Sequence, residues 1–409
     1  MSVPAAGIGA APIVRIDPIR SNEEQRRAVA LPSVDVPTSE RGPSAGLVVR
    51  PRSLAAAPGA RASDSPIPVG IPTPLETFEQ RSPESRSALL EKGGGSNKTE
   101  RAVGLALDWF LRHQSKDGHW SAQAFDDGCG HCDGRAEVKA DAAMTGMALL
   151  CFLGAGHTQQ QAGPYRDAVD RGLKWLVQRQ DSDGDLRRGE TMYGQTVSAV
   201  ALCEAFAMTR DPALAEPARK AVEFVLVRAG HPASEKDTSV IGWMVFTVES
   251  ARRAGFAVPP ATFEAARRWL DSVAAAGTPG GYAYSAGGRA TPAMTAEAMF
   301  VQQLLGHSRD ERLMQQSARY ILSTPPKWRE GAPTYYWYYA TLALFQHQGE
   351  AWKTWNEQVV EELLAHQDQQ GASAGSWATT DEWSRLGGRV YQTAVCTLSL
   401  EVYYRYKTK

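Results

Sequence analysis

Cys129 and Cys132 stand three residues apart in the segment Asp126-Asp127-Gly128-Cys129-Gly130-His131-Cys132-Asp133. Thiols at this spacing can chelate one metal ion, zinc above all, with His131, His119 or a carboxylate completing a tetrahedron. The same pair can form a redox disulfide, or pack in its loop without any cofactor. Cys129, Cys132 and His131 are therefore the candidate metal ligands, with all three outcomes open. Carboxylates form a second set. Asp237 precedes an apolar helical run and Glu297 begins another, so they are the candidate catalytic acids and bases. Helix capping and ion pairing are the structural alternative for both. Asp141 and Glu204 fall inside apolar helices as well, and Arg289 and Arg389 are available as cationic partners.

Helical hairpins must position these residues. Segment 102–120 reads AVGLALDWFLRHQSKDGHW, an amphipathic helix closed by a fixed stop. It recurs as RGLKWLVQRQDSDGDL from Arg171 to Leu186. Trp109 and Trp175 each precede a glutamine, Gln114 or Gln180, by five positions, and Gly118 and Gly184 follow that glutamine by four. The pattern predicts six helix pairs, at about 99–114 with 137–154, 165–180 with 192–209, 213–229 with 238–254, 260–276 with 292–305, 310–323 with 334–348, and 352–368 with 389–406. The first helix of each pair is amphipathic, as in PARKAVEFVLVRA. The second is apolar nearly all round, as in TVSAVALCEAFAM and YYWYYATLALF. A helix apolar on every side is surrounded by protein, so the second helices form an inner ring and the first an outer one. The expected fold is all-α, an (α/α)6 toroid over residues 98–409, whose closure leaves no end to cap. Residues 1–97, rich in Pro, Ala and Ser, read as a disordered arm that could tether the ring or bind a protein partner.

Composition narrows the function classes. The chain has 409 residues, with 44 Lys plus Arg against 45 Asp plus Glu. A net charge of −1 gives no electrostatic case for nucleic acid. No window has the roughly 18 apolar residues of a membrane span, and the first residues lack the pattern of a secretory signal. Three of the five cysteines, Cys151, Cys203 and Cys396, lie in apolar helical runs, which suggests thiols in a reducing compartment and a cytoplasmic protein.

The recurring segment resembles the QW motif of the squalene and oxidosqualene cyclases, within the wider prenyltransferase and squalene-cyclase repeat family. Arg171, Gly172, Trp175, Leu176, Gln180 and Gly184 fit it, as do Trp109, Phe110, Gln114, Gly118 and Trp120. Gln367, Gly375 and Trp377 fit more loosely. The stretch with TYYWYYATLALF and GGRVYQTA is similar to a bacterial branch of mostly unassigned activity. The resemblance implies an isoprenoid-like or other apolar ligand in a central cavity, held by Tyr193, Trp243, Tyr336, Trp337 and Tyr391, whose faces could also stabilise carbocations. Arg389 with Asp237 and Tyr391 could grip a polar head group such as a diphosphate. An enzyme here would be a terpene cyclase or a prenyl-transfer enzyme. The acid motifs of the cyclases, DxDD and DCTAE, are missing. The nearest segment, Ala293-Met294-Thr295-Ala296-Glu297, has alanine where the acid should stand. Three readings follow: a binding protein or noncanonical terpenoid enzyme, an interaction scaffold without catalysis, or a class II cyclase using an unrecognised acid.

Overall fold

The computed structural model describes residues 78–130, 132–229, 238–329 and 331–406. After a 3-10 turn at Glu79–Arg81, helix α1 (Pro83–Gly93) leads into six hairpins. Their outer helices are α2 (Asn97–Arg112), α4 (Arg166–Arg179), α6 (Pro212–Ala229), α8 (Pro260–Val273), α10 (Arg312–Leu322) and α12 (Gly349–His366). Their inner helices are α3 (Asp141–Gly154), α5 (Met192–Thr209), α7 (Thr238–Ala254), α9 (Pro292–Leu304), α11 (Thr334–His347) and α13 (Glu382–Leu400). The short α14 (Val402–Arg405) follows. Each inner helix packs on the next, and α13 packs back on α3, so the ring is closed. The (α/α)6 toroid expected from the alternation of amphipathic and apolar helices is the observed fold. Every residue of α3 from Ala142 to Gly154 is buried, which a helix facing only one neighbour could not achieve.

One difference lies before the ring. Residues 83–93, assigned to the disordered arm by their composition, form α1. The Ser82 hydroxyl accepts from the backbone N–H of Ser85 and caps it. The segment has little apolar periodicity of its own, and docking supplies its order. Gly93 and Gly95 lie against the Tyr403 ring, Trp352 Nε1 donates to Gly93 O (2.9 Å), and Asn356 Nδ2 donates to Gly94 O (2.9 Å). The remainder of the arm, residues 1–77, lies outside the described residues. The last inner helix also starts earlier than its apolar run. Asp381 and Ser384 cap each other reciprocally, and the helix then kinks at Gly388 (φ 75°).

The turns after the outer helices explain the recurring Gln and Gly. Gln114 Nε2 donates to Gly118 O (2.7 Å) in its own turn and to Ala168 O (2.8 Å) on the next outer helix. Gln180 bonds Gly184 O and Pro217 O in the same way. Gln367 bonds Gly375 O (2.9 Å) and Ala102 O (2.8 Å), and this last bond joins the sixth hairpin to the first. Gly118, Gly184 and Gly375 have positive φ, and a Cβ on any of them would strike the backbone of that next outer helix.

One end of the ring is filled by an ion network. Arg405 Nη2 lies 3.1 Å from both oxygens of Glu204, and Arg81 Nη1 lies 2.8 Å from Glu204 Oε2. Burial alone would push the Glu204 carboxyl up, but the two guanidiniums outweigh it and hold it below its usual range. Arg405 Nη1 and Arg81 Nη1 also donate to Leu150 O (2.6 Å) and Leu153 O (3.2 Å) near the C-terminus of α3. Tyr406 reaches across to Phe246 and Phe300, with ring centroids 5.9 and 6.1 Å away. Glu204→Ala removes the carboxylate that both buried guanidiniums share, leaving Glu401, 3.6 Å from Arg405, as the remaining counter-charge. It should cost about 3–5 kcal/mol of unfolding free energy in urea titrations, and a loss below about 1 kcal/mol would show that the network is not structural.

Candidate functional site

Each inner helix is reached through an antiparallel outer partner, so all six run in one sense and their N-termini share the mouth opposite the ion network. Glu297 lies there, fully buried in the second turn of α9. That helix begins at Pro292 behind Thr291, whose hydroxyl accepts from Met294 N–H. Tyr335 of α11 donates its hydroxyl to Glu297 Oε2 (2.9 Å). Tyr339, one turn on, packs against Tyr335 at 5.0 Å between ring centroids. The other Glu297 oxygen lies against α7 at Gly242, where a Cβ would collide with it. Tyr193 of α5 contacts the Ser239 hydroxyl, which is 3.3 Å from the Tyr284 hydroxyl. Tyr193, Tyr284, Tyr335 and Tyr391 are half-buried as residues, although the Tyr335 and Tyr391 phenol groups are enclosed.

Electrostatics at this mouth favour neutral phenols. Burial pushes Tyr335 and Tyr339 well above the usual tyrosine range, and the charge of Glu297 adds to it. Tyr391 is raised by burial first, then by Asp381, Cys396 and Glu297. Six helix N-termini lend this mouth partial positive charge. The arrangement offers hydroxyl donors, aromatic faces and one carboxylate acceptor. Ala293, where the cyclase resemblance calls for the acid, is a partly buried apolar side chain in the first turn of α9.

The structure thus brings together Glu297, Tyr193 and Tyr391 of the residues singled out by sequence. Trp243 lies buried beside Tyr339 and Tyr338, with centroids 6.3 and 6.4 Å away. Tyr336 faces the other way and donates to Ile321 O and Thr324 O (2.8 Å each). Trp337 is buried against Trp328. Arg389 is 3% exposed and spends its donors on Asp133, Asp368 Oδ2 (2.7 Å) and Ser376 Oγ (2.9 Å). Asp237 lies outside the described residues. Of the aromatic run 335–339, the members nearest Glu297 are Tyr335 and Tyr339 rather than Tyr336 and Trp337, and Gly242 carried no sequence signal. The i, i+4 spacing of Tyr335 and Tyr339 was the available signal.

The thiol pair gains a partner from elsewhere. His113, at the end of α2, places Nε2 3.3 Å from Cys129 Sγ and 3.3 Å from Cys132 Sγ, and the two sulfurs are 3.5 Å apart. That separation is far beyond a disulfide bond. His113 Nδ1 is 2.8 Å from Trp109 O, and its ring stacks on Trp109 at 4.4 Å. A carbonyl at Nδ1 sets the tautomer in which Nε2 carries the lone pair. Burial and then the neighbouring Cys129 push the Cys132 thiol up to about 11. His131 lies outside the described residues. Sequence reasoning missed His113, although the second copy of the segment has Arg179 at that position.

The family model of the squalene-hopene cyclase C-terminal domain matches residues 88–202. The toroid is squalene-cyclase-like. This squalene-cyclase-like ring is also similar to an alpha-1,6-mannanase of Salegentibacter sp. in complex with alpha-1,6-mannotriose, at 12% identity and a TM-score of 0.52, covering 75% of this chain and 99% of that one. An alpha-amylase from Clostridium perfringens matches at 10% identity and a TM-score of 0.50, covering 74% and 97%. The type II terpene cyclase MstE from Scytonema, in complex with geranylgeranyl dihydroxybenzoate, matches at 13% identity and a TM-score of 0.47, covering 75% and 97%. At such identities the likeness to the mannanase and the amylase is one of fold. No curated protein matches the chain in sequence. Among the described residues, no helix is long and apolar enough to cross a membrane.

The phenols give a pH prediction. Their folded-state values lie above the unfolded value of about 10, so the unfolded chain loses protons first and stability falls as pH rises past that point. Unfolding free energy measured from pH 8 to 11 should be flat at first and decline above about pH 10. Full tyrosinate absorbance at 295 nm in a protein still folded and undiminished in stability would contradict this.

Proposed function

We propose that the toroid binds an apolar, isoprenoid-like molecule at the phenol-lined mouth of its inner ring, as a binding protein or as a noncanonical terpenoid enzyme. The observation that carries this reading is the half-buried wall of Tyr193, Tyr335 and Tyr391 around Glu297. Aromatic faces attract alkenes weakly and cationic centres strongly. Glu297 is fully buried and accepts from the Tyr335 hydroxyl, which fixes that ring at the mouth. The match of residues 88–202 to the squalene-hopene cyclase domain supports the ligand class. No alkene protonation is assigned, because Ala293 stands where that step would need an acid.

A second reading, an interaction scaffold with the N-terminal arm as tether, is favoured by the filled opposite end. Arg405, Glu204, Arg81 and Tyr406 make that half of the ring a solid core. We further propose zinc as the cofactor of the His113, Cys129 and Cys132 cluster, because the three donor atoms converge within a tetrahedron's edge lengths and His113 is oriented by a carbonyl.

Native mass spectrometry of protein purified from its own host, with lipid extraction of the same sample, tests the ligand. A co-purifying isoprenoid is expected. Its occupancy should fall about tenfold in Glu297→Gln and in Tyr335→Phe, the loss of one charge-assisted hydrogen bond. Bare protein that also ignores added isoprenoids would leave the scaffold as the better reading.

A further inference from the structure

The His113, Cys129 and Cys132 cluster lies beside the one place where the ring joins its beginning to its end. Residues 126–130 and 132–136 form a tongue between α2 and α3. Its base is pinned by Ala136 N–H donating to Ala122 O (3.0 Å). Its far side grips the last inner helix. Arg389 N–H donates to Gly134 O (2.7 Å), Arg389 Nε donates to Asp133 O (2.9 Å), and the Asp133 carboxylate pairs with the same guanidinium. Glu137 N–H donates to Arg385 O (3.1 Å). Gly388 has φ 75°, and a Cβ there would meet Ala136 N at 2.8 Å and Gly134 O at 2.9 Å. The kink in α13 therefore exists where the tongue presses on it.

Nothing in the tongue's own composition makes it rigid. It has three glycines, at 128, 130 and 134, and three carboxylates, at 126, 127 and 133, that favour water. Cys132 is nevertheless 6% exposed and adjoins Asp133. What faces it is His113, on an outer helix that is itself held to the sixth hairpin through Ala102 O and Gln367. Two thiols and an imidazole within 3.5 Å of one another make a poor hydrogen-bonding group. They make a good donor set for zinc, whose Zn–S and Zn–N bonds of about 2.3 and 2.0 Å place ligand atoms about 3.5–3.8 Å apart. Loss of both thiol protons on binding gives a neutral Cys2His centre with a fourth position for water or a further side chain.

We infer that one zinc ion on His113, Cys129 and Cys132 clasps the toroid shut, by fixing the tongue to α2 so that Asp133 and Gly134 can hold Arg389 of α13. This rests on the zinc reading above. An opened seam exposes the apolar sides of α3 and α13 together, while the hairpins far from it keep their packing.

The test uses the full chain, purified under reducing conditions. Elemental analysis should find one zinc per chain, lost in Cys129→Ser and in His113→Ala. Hydrogen exchange is then compared before and after zinc removal by a chelator. Peptides covering 132–137 and 385–392 should exchange at least tenfold faster without metal, while those covering 240–250 and 296–302 stay unchanged. Asp133→Asn provides a variant that leaves the ligands intact. It should speed exchange at 385–392 without releasing zinc. Zinc present but without effect on the seam peptides would overturn the clasp and leave the zinc reading standing. Protein with no zinc that also fails to take up added zinc, or with a Cys129–Cys132 disulfide two mass units lighter, would overturn both.

Discussion

The hydrogen bond from Gln367 to Ala102 O crosses 265 residues of sequence, and it repeats a bond that the first hairpin makes to the second only 54 residues away. A toroid depends on this equivalence. Each hairpin adds a rotation, and the sixth must present to the first the same surface that the first presents to the second. The glutamine measures that fit, since one amide group must reach its own turn and the neighbouring helix together. The glycine four or eight positions later lets the turn come close enough. Where hairpins depart from this device, as in the fourth, Ser317 Oγ donates to Gly280 O instead (2.7 Å) and the approach of turn to helix is kept.

Closure makes the two ends of the ring chemically unlike. Six parallel helices collect partial positive charge at one mouth and partial negative charge at the other. The second mouth receives Arg81, Arg86 and Arg405, each donating to a carbonyl near the end of α3. The first mouth receives Glu297 and a set of phenols. Buried charge is costly to leave unpaired, so the arginine end is tightly cross-linked through Glu204. The phenol end has paired charges of its own, Arg179 with Glu190 beside the start of α3 and Arg389 of α13 with Asp133 and Asp368, but its neutral phenols need no counter-ion. The polarity of the helices thus sets an arginine cluster at one end and phenols around a buried carboxylate at the other.

Much of this was legible in the residues. The contrast between PARKAVEFVLVRA and TVSAVALCEAFAM separates outer from inner helices, because burial on one side or all sides is a property of composition. Glu297, Tyr193 and Tyr391 could be picked out as polar groups at the start of apolar runs. The rotation of α11 could not. Whether Tyr335 or Tyr336 faces Glu297 depends on the packing of α11 against α9 and α10, and five adjacent aromatics give no local clue. His113 was hidden for another reason. It stands 16 and 19 residues from its thiol partners, and at a helix end it reads as a cap. Arg389 looked like an anion receptor because its partners Asp133 and Asp368 come from distant loops. Beyond its Ser82 cap, α1 is ordered by partners its own sequence does not contain, Tyr403, Trp352 and Asn356 at its end and Glu100, Ala155 and Tyr404 around Arg86.

Arg81 donates to the carbonyl of Arg405, 324 residues later in the chain. During synthesis at about 5–20 residues per second, Arg81 waits tens of seconds for that partner. The early hairpins emerge with their inner helices apolar on every side and no ring to bury them. Until α13 and α14 leave the ribosome, α3 is an exposed edge, open to chaperones or to another unfinished copy. A closed ring avoids the capping repeats of an open solenoid, and it does so by making the nascent chain the vulnerable form.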